Sequence, residues 1–146
     1  MTEFELRERL SHCIELEYIL LGDLRDLLEE APSKETSRWL TAVLDVLLEK
    51  IPEEFEMRCE DGYLQSVIDA EPNWEPLVQR LQEQHFVMFR SLKVFRDRIR
   101  SGDIEAVSSE SLKQSLGEWI ESFTTHRRSE QRLVLMATHV DVGWGG

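Results

Sequence analysis

The sequence has few of the residues that interrupt or cross-link a chain. Its 146 residues include 4 prolines, 7 glycines and 2 cysteines. Two cysteines cannot build a disulfide scaffold and are typical of a reducing compartment, so we predict a cytoplasmic location. Scarce proline and glycine, together with 41% hydrophobic residues, indicate a helix-rich chain with a core and exclude a disordered one.

Long apolar runs and an excess of basic residues are also missing. No segment approaches the roughly 18 unbroken apolar residues of a membrane span. The first residues, MTEFELRERL, carry no apolar run of the signal-peptide kind. Because 29 Asp and Glu against 17 Lys and Arg give a net charge of −12, we predict a soluble protein that binds neither nucleic acid nor an anionic membrane.

Apolar residues recur every three and four positions along four segments, and strand-like alternation is absent. Turn signals at EAPSKET, DAEPNWEP and RSGDIEAVSSES separate the segments. Pro52 lies inside the second segment, where we expect a kink or a new helix start near Glu53. Short connections favour antiparallel neighbours, so the predicted fold is a single all-α domain over 1–146, an up-down-up-down antiparallel four-helix bundle. We predict helices over about 3–30, 36–68, 73–100 and 109–138, and a loop tail over 139–146.

Each apolar stripe contains polar residues where the helical period requires apolar ones. Charged residues are rarely buried unless they are paired, although long side chains can also extend outward to solvent. Counted from the turns at ~1.5 Å per residue, the polar positions differ in level by only a turn or two, so we predict one buried polar cluster. Its members are Glu17 in the first helix, Glu54 and Arg58 in the second, His85 in the third, and His126 and Glu130 in the fourth.

Histidines and carboxylates that face inward from several helices are the means by which bundles bind iron, manganese or zinc. Ferritin-like di-iron proteins need two Glu-x-x-His motifs, and the sequence contains none. The other four-helix arrangement places a carboxylate four or five residues after a histidine. The stretch His126-Arg-Arg-Ser-Glu130 has this form.

Three stretches make the chain similar to the hemerythrin-like family, also called the HHE cation-binding domain. IPEEFEMRCEDGYL resembles the second-helix pattern of Pro, His-Phe, an acidic cluster and Gly-Tyr-Leu. RLQEQHFVMF resembles the third helix, and HRRSEQRLVL followed by DVG resembles the fourth helix and tail. The resemblance covers nearly the whole chain. It implies a four-helix bundle with a non-haem di-iron centre that binds dioxygen or senses redox state or iron.

The resemblance implies metal ligands at several positions, and at some of them this chain carries a different type of residue. Glu54 replaces the histidine of the second helix, and Arg58 replaces its carboxylate. Cys13 stands where the first helix has a histidine, and the second histidine that some members carry in the third helix is missing. The candidate metal ligands are therefore His85, His126, Glu130 and Glu54, with Cys13 and Glu17 as weaker candidates.

Arg58 separates two hypotheses for the function. A guanidinium repels a metal ion and cannot deprotonate to bind one. We favour a metal-free bundle that acts as a sensor or interaction module, whose buried guanidinium replaces the metal and pairs with Glu54, Glu130 or Glu17. The alternative is a working non-haem iron or other metal site on the four main candidate ligands, for oxygen or redox sensing, with Arg58 turned toward solvent.

An enzyme is the third class of function. A di-iron peroxidase-like activity, or a nucleophile at Cys13 or Cys59, would place the chain in this class. His12 and Cys13 are sequence neighbours, which do not face each other on a helix, and a buried cysteine is usually inert. We therefore predict a non-enzymatic protein with an unidentified protein partner. Its cofactor is none or non-haem iron, and dioxygen would be a ligand only if iron is bound.

Overall fold

All regular structure in the described residues is helical, which confirms the prediction of an all-α chain. The computed structural model describes the backbone of residues 2–60 and 63–145, and their side chains except those at 3, 59, 60, 63, 66, 134 and 136–145. A short 3₁₀ helix, Pro72–Trp74, precedes the fourth α-helix. The α-helices are α1 (Glu3–Glu29), α2 (Lys34–Glu60), α3 (Tyr63–Ala70), α4 (Glu75–Ser108) and α5 (Glu110–Gly145).

Side-chain caps begin three of these helices. Thr2 and Glu5 form a capping box at the start of α1, in which each side chain accepts a hydrogen bond from the backbone of the other residue. Ser33 Oγ accepts a hydrogen bond from Thr36 N at 3.0 Å at the start of α2. Ser109 caps α5 in the same way, at 3.2 Å. These bonds satisfy backbone N–H groups that have no partner inside the helix, so the helix starts are set locally.

The segment that we predicted as one helix over 36–68 contains two helices. α2 ends at Glu60 and α3 begins at Tyr63, with the two positions between them outside the described residues. Because the apolar period continues through both helices, the periodicity could not reveal this division.

Proline at position 52 does not start a new helix. α2 continues through Pro52, so the predicted restart near Glu53 is wrong. The neighbouring residues Ile51 and Glu54 are both buried. Their packing on the inner side holds the helical backbone, although proline cannot donate a hydrogen bond to the preceding turn.

The last two helices are longer than predicted. α4 extends to Ser108, through most of the turn predicted at 100–111, and the turn signal corresponds to a local break at Asp103 with φ 51° and ψ −127°. α5 extends to Gly145, so the predicted loop tail over 139–146 is wrong for its described part. Each glycine costs only about 1 kcal/mol in a helix, which does not end a helix that is already propagating.

The long helices contact one another around a shared interior. α2 packs against α1 and α4, and α5 packs against α4, α3 and α1. A large apolar core lies between α1, α2, α4 and α5. Across the described residues, every helix is too short or too polar to cross a bilayer.

Two smaller apolar clusters lie apart from the large core. On α1, α4 and α5, the ionisable positions predicted from the sequence fall between residues of the large core and residues of a smaller cluster. On α2, Glu54 falls between Ile51 of the large core and Met57 of a smaller cluster, and Arg58 directly follows Met57. The apolar clusters therefore enclose a layer of polar side chains. The first small cluster contains Leu64, Val67, Val78, Leu81 and Leu133, and the second contains Leu10, Cys13 and Met57.

A buried polar cluster as the candidate functional site

Seven ionisable side chains from four helices meet in the interior. Six of them are at most 8% exposed, and the side chain of the seventh, Arg127, is 12% exposed. The predicted convergence of the polar residues is therefore observed, and Arg127 is an addition to the predicted set. The polar cluster consists of Glu17 from α1, Glu54 and Arg58 from α2, His85 from α4, and His126, Arg127 and Glu130 from α5.

Arg58 points into the polar cluster and joins two carboxylates. Its Nη2 lies 2.8 Å from Glu54 Oε1, one turn earlier on α2. Its Nη1 donates a hydrogen bond to Glu130 Oε2 on α5. The planar fork of a guanidinium suits such double contacts, which are stronger than neutral hydrogen bonds. Arg58 therefore links α2 to α5 at a position where a metal ligand was expected from the resemblance.

Arg127 is a second buried cation that sequence reasoning missed. Its Nη2 donates a hydrogen bond to Glu54 Oε2 and contacts Glu17 Oε2. Its guanidinium carbon lies 5.0 Å from the centroid of the Phe123 ring. A signal was present, because Arg127 follows Phe123 of the apolar stripe by one helical turn. Glu17 was one of the three carboxylates predicted to pair with Arg58, and it contacts Arg127 instead.

Glu17 is the most deeply buried member of the polar cluster, with 0% exposure. Neither of its carboxylate oxygens accepts an aligned hydrogen bond from a described residue, so its contact with Arg127 is an ion pair only. A buried carboxylate without aligned donors depends strongly on the nearby cation. The stability of α1 against α5 at this level therefore depends on Arg127.

The two histidines have different surroundings. His126 Nε2 lies 2.6 Å from Glu130 Oε1, in a contact that is not aligned as a hydrogen bond. Its Nδ1 lies 3.4 Å from Gln84 Oε1, which can only accept. His85 stacks on Phe55 with ring centroids 4.0 Å apart, and burial lowers its pKa to about 4. The imidazole of His85 is therefore neutral at pH 7.

The pKa values of the two carboxyls that contact Arg58 shift in opposite directions. Burial raises the pKa of Glu54 to about 7 against the opposing charge of Arg58, and the charge of Glu130 adds to the rise. Burial alone would also raise the pKa of Glu130, but its contacts with His126 and Arg58 outweigh burial and lower it. Glu54 is therefore the first carboxyl of this pair to take up a proton as the pH falls.

The charges of the polar cluster nearly balance without a metal ion. Three glutamates carry three negative charges when ionised, and two arginines carry two positive charges. Burial lowers the pKa of Arg127 to about 10, which leaves its guanidinium charged at neutral pH. One proton, on Glu54, would make the whole cluster neutral, as burial favours.

The candidate metal ligands do not all meet. Ligand atoms of His85, His126 and Glu130 lie within 4.8 Å of one another, and they form the one such group among the described residues. Glu54 is outside this group and contacts the two arginines instead. Cys13 packs with Leu10 and Met57 in a separate apolar cluster, and burial raises the pKa of its thiol.

The space at the centre of the polar cluster is small. The side chains around it leave about 10 Å³ for the centre of a water-sized sphere, which is room for about one water molecule. It is lined by Phe55 and Phe123 and by all members of the polar cluster except Glu17. A dioxygen molecule together with two metal ions would need more space than this.

Comparisons of the chain with protein-family models, with curated proteins and with solved structures found no match. The similarity to hemerythrin-like proteins therefore depends on the sequence motifs alone. It stays a prediction.

Proposed function

We propose that the chain is a hemerythrin-like four-helix-bundle domain that works without iron in the cytoplasm, as a sensor or interaction module. One observation carries the proposal. Arg58 and Arg127 lie between three buried carboxylates, and one of these carboxylates, Glu130, is also a candidate metal ligand. Two fixed cations supply the positive charge that these carboxylates need, so the bundle has no requirement for metal.

The proposed topology is up-down-up-down through α1, α2, α4 and α5. Each of these helices contributes to the polar cluster, and α1 and α2 are joined by residues 30–33 alone. Connections this short are typical of antiparallel neighbours. α3 and the 3₁₀ helix would then be an insertion between the second and third helices of the bundle.

A dinuclear iron centre does not fit the described side chains. Two bridged metal ions about 3.5–4 Å apart need ligands from several helices, and three grouped ligands are too few. The guanidiniums also repel metal ions electrostatically at contact range, where the buried site screens charge poorly.

A second candidate function, the binding of a single metal ion, is favoured by the grouping of His85, His126 and Glu130. Two histidines and one carboxylate are a ligand set found in non-haem Fe(II) proteins. This function requires Arg58 to release Glu130 and turn away. Oxygen or redox sensing would follow only in this case.

Metal content separates the two candidate functions. Purified protein is incubated anaerobically with Fe(II) or with Zn(II), desalted, and analysed for metal by mass spectrometry. A His85→Ala/His126→Ala double variant, checked for helicity by circular dichroism, is the matched control. We expect background metal in both proteins, because the arginines already neutralise the carboxylates.

Thermal unfolding gives an independent measurement. A metal that binds the folded state alone raises the unfolding temperature, and a chelator removes the increase. We expect the same unfolding temperature with added metal and with chelator. About one bound metal per wild-type chain that the double variant lacks, together with a higher unfolding temperature, would establish the second candidate function instead.

A further inference from the structure

A hollow lies at the surface where α1 ends and α2 begins. Its volume is about 630 Å³, and the residues that line it include Leu27, Glu30, Glu35 and Trp39. Tryptophan side chains are highly buried on average, but Trp39 is 57% exposed. The hollow therefore presents a large aromatic face to solvent.

The charged residues that line this hollow are acidic only. Glu30 and Glu35 are exposed, and neither forms an ion pair with a base among the residues that the structure describes. Lys34 and Arg38 are close in sequence but do not line the hollow. Each of them directly precedes a lining residue of α2, so it points about 100° away from that residue. Carboxylates beside an exposed tryptophan suit an ammonium or guanidinium group, which can stack on the ring and form ion pairs.

An apolar strip leads from the hollow along α1. Leu27 lines the hollow, and Leu16 lines a second hollow further along the same two helices. Ile19 and Asp23 fall between them at spacings of three and four, so they share this side of α1. Ile19 is 53% exposed. We call the surface formed by these apolar residues and the first hollow the α1–α2 groove; it consists of Leu16, Ile19, Leu27, Glu30, Glu35 and Trp39.

The unpaired charge beside the α1–α2 groove is negative. At its far end, Lys50 and Arg9 both form ion pairs with Glu53, at 3.3 Å and 3.2 Å. Between the two hollows, α1 contributes Asp23, while Arg25 lies about 200° further round the helix. The net charge of −12 adds a long-range field of the same sign, which attracts a basic partner and repels a second copy of the chain.

We propose that a basic amphipathic segment of a partner protein binds in the α1–α2 groove. One of its Lys or Arg side chains would stack on Trp39 and pair with Glu30 or Glu35, while its apolar face covers the apolar strip of α1. A free small cation would leave that strip exposed. The proposal rests on the proposed role as an interaction module and gives its partner a chemical class. The α1–α2 groove lies outside the polar cluster, so the peptide test below and the metal test above can fail independently.

A fluorescein-labelled peptide, KLLKKLLKKLLKKL, is the probe, because its leucines occupy one face of a helix. A peptide of the same composition, ordered so that the leucines spread around the helix, is the control peptide. Two variants change the α1–α2 groove: Glu30→Gln/Glu35→Gln removes its charge and Trp39→Ala removes its aromatic face. Glu83→Gln/Glu121→Gln is the matched control for the first, since it removes the same charge from exposed positions of α4 and α5. Circular dichroism checks that each variant is folded.

Fluorescence anisotropy at about 0.15 M salt, where distant charges are screened, measures the dissociation constants. We expect wild type and the α4–α5 control to bind the probe equally. Binding should weaken by about fivefold in the Glu30/Glu35 variant, which loses exposed ion pairs, and by about tenfold in the Trp39 variant, which loses a central aromatic contact. The control peptide should bind wild type at least about fivefold more weakly than the probe does, because it cannot cover the apolar strip.

Four results would overturn the proposal. Wild type could fail to bind the probe at up to about 1 mM protein. The α4–α5 control could lose as much affinity as the Glu30/Glu35 variant, which would make net charge the cause of binding. The two peptides could bind equally, so that the apolar strip has no part in recognition. Tetramethylammonium could displace the probe in the wild type and not in the Trp39 variant, which would make a free small cation the ligand of the hollow.

Discussion

Replacement of Arg58 by methionine tests whether the guanidinium stabilises the polar cluster. Methionine keeps an unbranched side chain but removes the charge. Glu54 and Glu130 then lose the cation that contacts both, and at 3% and 6% exposure they cannot recover this interaction from water. Removal of one partner from a buried ion pair costs about 3–5 kcal/mol, and we expect a loss of this size in the free energy of unfolding at pH 8.

The loss should depend on pH because Glu54 can take up a proton. The pKa of Glu54 is about 7 in the folded wild type, and Arg58 lowers it, so the substitution raises it further. A carboxyl whose pKa is raised by folding stabilises the fold below its unfolded pKa of about 4.3, and this contribution is lost as the pH rises through the folded pKa. Because the folded pKa of Glu54 is higher in the variant, this loss continues to a higher pH in the variant than in wild type. The difference in unfolding free energy between the two proteins should therefore be smaller at pH 6 than at pH 8.

Urea unfolding followed by far-UV circular dichroism at pH 6 and pH 8 measures this difference. Arg96→Met is the control, since Arg96 Nη1 pairs with the exposed Asp45 at 2.6 Å and ion pairs at the surface contribute little to stability. Adding Glu54→Gln and Glu130→Gln to the Arg58 variant should restore part of the stability, because no buried carboxylate is then left unpaired. An Arg58→Met protein as stable as the Arg96 control at pH 8 would refute the buried ion network.

Four further substitutions have expected outcomes in the same unfolding assay. Between pH 6.5 and pH 4, the free energy of unfolding of wild type should fall by roughly 2 kcal/mol, because the unfolded chain binds a proton that the buried imidazole of His85 does not. The His85→Phe variant should not show this loss, and parallel pH curves for the two proteins would contradict the expectation. Asp103→Gly should stabilise the protein by about 1 kcal/mol by relieving a positive φ, whereas Glu105→Gly, two residues later, should destabilise it by about as much. Arg127→Lys should cost about 1–3 kcal/mol, since an ammonium lacks the fork that contacts two carboxylates, and a neutral result would mean that charge alone suffices. Arg58→Glu should be less stable than Arg58→Met at pH 8, because it adds a carboxylate, and equal stability would argue against repulsion within the cluster.

The helical class of the chain followed directly from residue spacing, while several helix boundaries did not. Apolar residues at intervals of three and four need no tertiary information to indicate helices. The continuation of α2 through Pro52 depends on the packing of its buried side, which residue spacing does not describe. The long α5 likewise overrides the local preference of its terminal glycines.

The candidate site was predicted in its composition but not in its pairing. Glu17, Glu54 and Arg58 stand at positions of the helical repeat where apolar residues are expected, so the sequence alone predicts that they are buried polar residues. Which carboxylate meets which cation depends on the rotation and level of each helix, and no periodicity contains that information. Arg127 was missed for this reason, since it lies at the edge of the stripe on a helical wheel and inside the cluster in space.

The sequence by itself determined an all-α chain, an acidic surface and a set of ionisable residues on apolar stripes, because each is a property of local spacing or composition. Only the tertiary structure decided that Arg58 faces inward and that Arg127 joins it between the carboxylates. The physical reason is that burying a charge is favourable only when an opposite charge lies within contact distance. That distance is set by how the helices pack.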